Sequence, residues 1–329
     1  MIIALSHRAG IQAAQFLNGL SAELAPCKVL SWPAEEPAPV ENIQILLAMG
    51  PVPRQRFESQ RHLELIQTLS AGYETIDLAA AGEFGIWVSN APSGVTGNAA
   101  SVAEFAVMLL IGASRHLVAA QSAQRAGTAM DASSNRALSG KTICIVGLGN
   151  VGRELVERLR PFKMRMVATA HGATNLPEAV TVYPGEDLKN AVATADYVVL
   201  CVPGSKKNEN LIDASVLGSM KHGAILINVA RGSVVNEVDL CTALRGGQLA
   251  AVGLDVLRHE SPDSADPLLT FPQALITPHI AGETDLTLAG TIQFIGQLIA
   301  AWSDGKKPPS IVNQPLKPRK VFATGVAPP

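Results

Sequence analysis

A short apolar run, Thr142-Ile-Cys-Ile-Val146, leads straight into Gly147-Leu-Gly149-Asn150-Val151-Gly152 and then into the helical Arg153-Glu-Leu-Val-Glu-Arg-Leu159. Alone, such glycine spacing can be an ordinary glycine-rich turn; placed between a strand and a helix it points to dinucleotide binding. Gly147 is expected to make the tight turn, Gly149 to let backbone approach a pyrophosphate, and Gly152 to let the helix pack closely on the strand. The N-terminus of that helix adds unsatisfied N–H groups and the positive end of its dipole. A second strand, Arg165-Met-Val-Ala-Thr169, follows, so the segment reads as the first βαβ unit of a dinucleotide-binding domain.

The rest of the chain keeps the same rhythm. Before the glycine turn, β-rich runs stand at Ile2–Leu5, Lys28–Leu30, Ile43–Ala48, Leu65–Leu69 and Trp87–Ser89, separated by helical stretches and proline-punctuated loops. After it come Tyr197–Val202, Ala224–Val229, Ala251–Leu254 and Ala274–Thr277. Alternating β and α elements predict an α/β fold with parallel sheets and right-handed crossovers. At 329 residues, about 150 per domain gives two domains. Between the two series, Asn98–Leu117 reads as one long apolar helix and Gln121–Leu138 as a polar, alanine-rich stretch. A last helix, Leu286–Trp302, precedes a Pro- and Lys-rich tail expected to be extended or partly disordered.

Composition excludes several classes of function. The chain is 47% hydrophobic and 16% charged, which rules out disorder, and aromatic residues are only 4%, so Ala, Val, Leu and Ile must build the core. With 26 basic and 28 acidic residues and no block of like charge, it offers no electrostatic grip for nucleic acid or membrane. A small-molecule ligand is expected. The longest apolar stretch, Val102–Ala113, contains Glu104 and is shorter than the roughly 20 residues of a membrane helix. The first residues form an apolar run too short for a signal peptide. Four scattered cysteines, Cys27, Cys144, Cys201 and Cys241, have no zinc spacing and read as small buried apolar residues in a reducing compartment. The expected location is cytoplasmic, and no metal site is expected because no HExxH-like ligand spacing occurs.

In dinucleotide-binding domains an acid about 20 residues beyond the glycines grips the adenosine ribose. Here the second strand runs into Ala170-His171-Gly172, with no carboxylate to repel a 2′-phosphate. NADP is therefore slightly favoured over NAD, with His171, Thr169 and Asn175 as polar groups available to a phosphate. Three later strands each end in a polar residue: Asn228-Val229-Ala230-Arg231-Gly232, Gly253-Leu-Asp255-Val-Leu-Arg-His-Glu260, and Thr277-Pro-His279. Strand C-termini face the ligand crevice of open α/β sheets, so Arg231, Asp255, Glu260 and His279 are expected to converge there. Any one arginine or histidine is more often structural; only the set carries weight.

In this order the glycine loop, Asn228–Gly232, Gly253–Val256 and Thr277-Pro-His279-Ile-Ala-Gly282 resemble the motifs of the D-isomer-specific 2-hydroxyacid dehydrogenases. The likeness runs from about Leu65 to Ala281. It implies a Rossmann cofactor domain, residues 94–281, inserted into a flavodoxin-like substrate domain made of 1–93 and 282–329, with the active site between them. It implies a catalytic group of Arg231, Glu260 and His279, substrate-carboxylate binding by the amides of Ser70, Ala71 and Gly72, and a homodimer. Implied cofactor contacts are Gly147, Gly149, Asn150, Val151, Gly152, Ala170, His171, Val202, Pro203, Val229, Ala230 and Asp255, the last beside the nicotinamide amide.

Arginine suits this chemistry because its planar fork meets both carboxylate and carbonyl oxygens, which lysine imitates poorly. Histidine titrates near neutral pH and so exchanges a proton with a developing alkoxide. Leu69-Ser70-Ala71-Gly72 and the Ala170-His171 pair resemble the glyoxylate and hydroxypyruvate reductases, which makes a small 2-oxo acid the expected substrate. Gln67-Thr-Leu-Ser70 lacks the basic residue that phosphoglycerate dehydrogenases of the family carry there. Two alternatives stay open: a phosphite-type dehydrogenase of the same fold, and a nucleotide-sensing, corepressor-like binding protein.

Overall fold

The computed structural model describes residues 1–7, 10–33, 36–40, 42–172, 180–308 and 310–322. Its chain divides into two compact units, Met1–Asn98 with Thr284–Pro329, and Ala99–Glu283.

The first unit is built from β1 (Ile2–His7), α1 (Ile11–Glu23), β2 (Lys28–Pro33), β3 (Ile45–Ala48), α2 (Arg54–Ser59), β4 (Leu65–Thr68), α3 (Leu78–Glu83) and β5 (Trp87–Ser89). Its five strands are parallel in the order β2-β1-β3-β4-β5. That is the flavodoxin-like order, in which the crossovers put helices on both faces. The strands are apolar in both directions: Ile45, Leu47 and Leu65 face one core, while Leu46, Ile66 and Val88 face the other. Such continuous burial is what parallel strands require.

The second unit contains α4 (Asn98–Ser114), α5 (Leu117–Ala126), β6 (Thr142–Val146), α6 (Asn150–Leu159), β7 (Arg165–Ala170), β8 (Val180–Pro184), α7 (Leu188–Ala193), β9 (Tyr197–Leu200), α8 (Ala214–Ser219), β10 (Ala224–Asn228), α9 (Glu237–Arg245), β11 (Leu249–Leu254) and β12 (Ala274–Ile276). Seven parallel strands run β12-β11-β10-β9-β6-β7-β8. Counted from β6, this is the Rossmann order with one strand added, and its topological switch point lies between β6 and β9. At the N-terminal edge of the sheet Asp196 joins strands: its side chain accepts from Thr142 N at 2.8 Å and Lys221 Nζ at 3.0 Å, and its carbonyl from Ile225 N at 3.1 Å.

The chain then returns to the first unit as α10 (Asp285–Ser303), capped by Thr284, whose hydroxyl accepts from Thr287 N. Although α10 is long and apolar enough to cross a membrane, Ile295, Leu298, Ile299 and Trp302 are buried in the core beside α1.

Three sequence expectations need correction. The helix expected over Asn98–Leu117 ends at Ser114, because His116 takes a left-handed φ of 48° and the chain turns 59° into α5. β8, an edge strand with a half-buried pattern, was not anticipated. The tail, expected to be extended or partly disordered, carries no helix among its described residues and is tied down as far as Phe322. Ile311 bridges Ser89 antiparallel to β5, Val312 N donates to Val88 O at 2.8 Å, and the Asn313 side chain bonds Val88 N and Ile86 O. Beyond it Phe322 sits against Trp87 and Trp302. Of the cysteines, Cys144 and Cys241 are buried as expected, while Cys27 and Cys201 are only half-buried. Burial pushes the Cys144 thiol up to about 12.

Candidate active site

All strands of the second unit are parallel, so their C-terminal ends lie along one edge of the sheet. The glycine turn follows β6, Ala170 and His171 close β7, Val202 and Pro203 follow β9, and Val229 to Arg231 follow β10. Asp255 follows β11, and Thr277 to His279 follow β12. The expected cofactor residues and the expected catalytic group therefore share that edge, the second on the neighbouring strands β10, β11 and β12.

The glycine turn has the shape its spacing implies. Gly147 has φ +102°, and a Cβ there would lie 2.9 Å from Cys201 O. A Cβ on Gly152 would lie 2.1 Å from Gly147 O, so only glycine lets α6 start this close to β6. At Gly149 nothing lies within 4 Å of that position, and Gly149 and Asn150 are exposed at the start of the ten-residue α6. Two glycines closed by protein and one open to solvent make a backbone cradle that fits a dinucleotide pyrophosphate. His171 is exposed, and its ring occupies the space a Cβ on Gly185 would need, 2.0 Å away. Asn175 lies outside the described residues. Val229 and Ala230 are buried; Val202 is half-buried and Pro203 exposed.

His279 Nδ1 meets both carboxylate oxygens of Glu260, at 2.9 and 2.8 Å, with 42% of the histidine side chain and 54% of the glutamate accessible. The loop that presents His279 is held by Asp255. This carboxylate, in a residue 1% exposed, accepts from Thr277 Oγ1 at 2.7 Å, Ile280 N at 3.0 Å and Ala281 N at 2.9 Å. Asp255 O also accepts from His279 N at 2.7 Å, and His279 itself has φ +57°, a left-handed conformation uncommon outside glycine. Asp255, expected beside the nicotinamide amide, thus also ties down the loop that presents His279.

Arg231 is half-buried, with Nη1 donating to Ala230 O at 2.8 Å. Asn228, at the end of β10, shapes its turn: Oδ1 accepts from Ala230 N at 3.0 Å and Nδ2 donates to Arg231 O at 2.9 Å. A Cβ on Gly232 would lie 2.0 Å from the Leu257 carbonyl carbon, so only glycine lets the Arg231 turn contact the segment leading to Glu260. Beside the dyad is a cavity of about 230 Å³ whose lining includes Glu260, His279, Leu257, Leu269 and Ile276. A larger groove, about 470 Å³, is lined by Thr142 and Arg165 at the other, N-terminal ends of β6 and β7. It lies away from the edge where open α/β sheets bind ligands.

Ser70, Ala71 and Gly72 belong to the first unit, in the loop after β4. Sequence reasoning named the motif containing Asn228 without giving the residue a role, and passed over Asn90 beside this loop. A polar amide at the end of a buried strand is the signal that marks both.

Comparison with known proteins fits this geometry. The sequence model described as D-isomer specific 2-hydroxyacid dehydrogenase, NAD binding domain, matches residues 107–281, more than half of the chain. The chain belongs to that family. Among family members, the glyoxylate reductase of Thermococcus gammatolerans is 30% identical over 316 residues, spanning 90% of this chain and 93% of its own. That of Pyrococcus horikoshii is 31% identical over 289 residues, 84% of each chain. A solved structure of the NADPH-dependent glyoxylate/hydroxypyruvate reductase of Sinorhizobium meliloti, with NADP and malonate, superposes with a TM-score of 0.82 at 25% identity and covers 98% of this chain and 99% of its own. The D-2-hydroxyacid dehydrogenase fold and an NAD(P)-binding domain are thereby established for this chain.

Proposed function

We propose that this dehydrogenase reduces a small 2-oxo acid, glyoxylate to glycolate or hydroxypyruvate to D-glycerate, and that NADPH is its better reductant. The observation that carries the reading is the His279–Glu260 pair, set at the end of β12 by the buried Asp255. Glu260 accepts from Nδ1, which fixes the ring and leaves Nε2 to give a proton to the substrate's carbonyl oxygen. The Arg231 fork orients the carboxylate and polarises the carbonyl. The amides of Ser70, Ala71 and Gly72 bind the carboxylate. Gly147, Gly149, Asn150, Val151 and Gly152 would hold the pyrophosphate, with Ala170, His171, Val202, Pro203, Val229 and Ala230 along the rest of the cofactor. Bound reduced nicotinamide supplies the hydride for C2.

The preference for NADPH rests on the strand end Ala170-His171, which carries no acid, and is supported by the named cofactor of the Sinorhizobium meliloti relative. A homodimer is supported by α4, where Met108 and Ile111 are exposed apolar side chains. Four unpaired cysteines suit a reducing cytoplasm.

The test is a panel of 2-oxo acids with NADPH and NADH, followed by loss of reduced-cofactor absorbance. Glyoxylate and hydroxypyruvate should turn over fastest with NADPH. His279→Gln should lower kcat by about 10²- to 10⁴-fold while cofactor binding persists. No turnover of any 2-oxo acid, or full activity in His279→Gln, refutes the reading.

A further inference from the structure

The loop after β4 is held by its carbonyl groups. Ser70 O accepts from Thr68 Oγ1 at 2.8 Å and from Ala91 N at 3.0 Å. Ala71 O accepts from Asn90 Nδ2 at 2.8 Å, and Gly72 O from Ser70 Oγ at 3.1 Å. In a planar trans peptide the C=O of one residue points opposite to the N–H of the next. Turning Ser70 O and Ala71 O toward Ala91 and Asn90 therefore turns the N–H groups of Ala71 and Gly72 the other way. Among the described residues, no hydrogen bond from the amides of Ser70, Ala71 or Gly72 to a protein acceptor is formed.

Asn90 is itself fixed from far along the chain. Its N–H donates to Ser310 O at 3.2 Å, and the preceding Ser89, fully buried, shares a 2.8 Å hydroxyl contact with Ser310 Oγ. The antiparallel bridge between Ser89 and Ile311 continues this contact. A run of bonds thus leads from the C-terminal segment through Ser89 and Asn90 to Ala71 O.

We propose that Asn90 is a positioning residue for carboxylate binding, aiming the Gly72 amide, and that Ser310 in the C-terminal segment sets Asn90. This inference rests on the assignment of Ser70–Gly72 as the substrate-carboxylate loop. Asn90→Ala frees one carbonyl of that loop without touching Arg231, Glu260 or His279. The isosteric Asn90→Asp places an acceptor against Ala71 O and is the more damaging change.

Steady-state kinetics with glyoxylate, and calorimetric titration of the NADPH complex with oxalate as carboxylate probe, test it. Asn90→Ala should raise the KM for glyoxylate and the Kd for oxalate together by about tenfold, with kcat, the KM for NADPH and Tm nearly unchanged. Asn90→Asp should raise both further. Ser310→Ala should raise them about two- to threefold, and nothing more once Asn90 is already Ala. A folded, active Asn90→Ala enzyme with unaltered oxalate affinity overturns the role of Asn90. Additive effects of the two substitutions overturn the link to Ser310. Oxalate binding that weakens as expected in a protein that reduces no 2-oxo acid upholds the positioning role and removes the proposed activity instead.

Discussion

Arg231 owes its place to two neighbours that do no chemistry themselves. Asn228 bonds both sides of its turn, and Gly232 admits the Leu257–Arg258 backbone at a distance no side chain tolerates. Gly232→Ala should therefore act as an active-site lesion although it adds only a methyl group. The close atoms are backbone, so one of the two segments must move and carry Arg231 or Glu260 with it. A misplacement near 1 Å costs about 10²-fold in rate, so kcat/KM for glyoxylate should fall by about that factor while fluorescence titration still detects NADPH binding. Unchanged kcat/KM would mean that the turn is not what places Arg231. The residue types were legible in sequence, since Arg, Glu and His at three strand ends already suggested a converging group. Asp255 was legible only as a polar residue at the right edge. That its carboxylate holds the left-handed His279 loop depends on where Ile280 and Ala281 return, 25 and 26 positions later.

At the scale of elements, Asp196 is the clearest electrostatic tie. Burial alone would raise its pKa, but the Thr142 amide and the Lys221 ammonium outweigh that and hold its carboxyl below the usual carboxylate range. A group depressed in the folded state adds stability above its unfolded pKa, about 3.9, and loses it as pH falls through the folded value. Asp196→Asn should then cost about 1 kcal/mol at pH 7, and the deficit should close on acidification below the carboxylate range. Urea unfolding of the two proteins across that range is the measurement; a deficit independent of pH would assign the effect to packing. Long buried strands and the glycine-led α6 were readable from periodicity. Two features were not. Val180-Thr-Val-Tyr-Pro184 has the Val, Thr and Tyr that favour a strand but is a short, half-exposed edge strand rather than a buried apolar run, and the break at His116 is a single backbone conformation inside an apolar run.

For the molecule as a whole, the exposed Met108 and Ile111 of α4 bear on assembly. The proposed dimer should give twice the chain mass by size-exclusion chromatography with light scattering, and Ile111→Glu should shift the population toward monomer. A wild-type monomer mass would remove that proposal. The C-terminal segment matters at this scale too. From composition it reads as an extended or partly disordered tail, yet Trp87 Nε1 donates to Lys320 O at 2.9 Å and Arg319 Nη1 donates to Gln60 O and Leu63 O. Such bonds join residues more than 200 positions apart, where no local pattern can announce them.

The sequence alone determined the alternation of β and α, the glycine cradle, the order of motifs and hence the family, because each follows from rules acting over a few residues. Tertiary structure alone decided how those pieces are held. It turned Asp255 onto the His279 loop, docked the C-terminal segment against β5, and directed Asn90 to Ala71 O. Each choice is a hydrogen bond between segments that meet only once the sheets have formed.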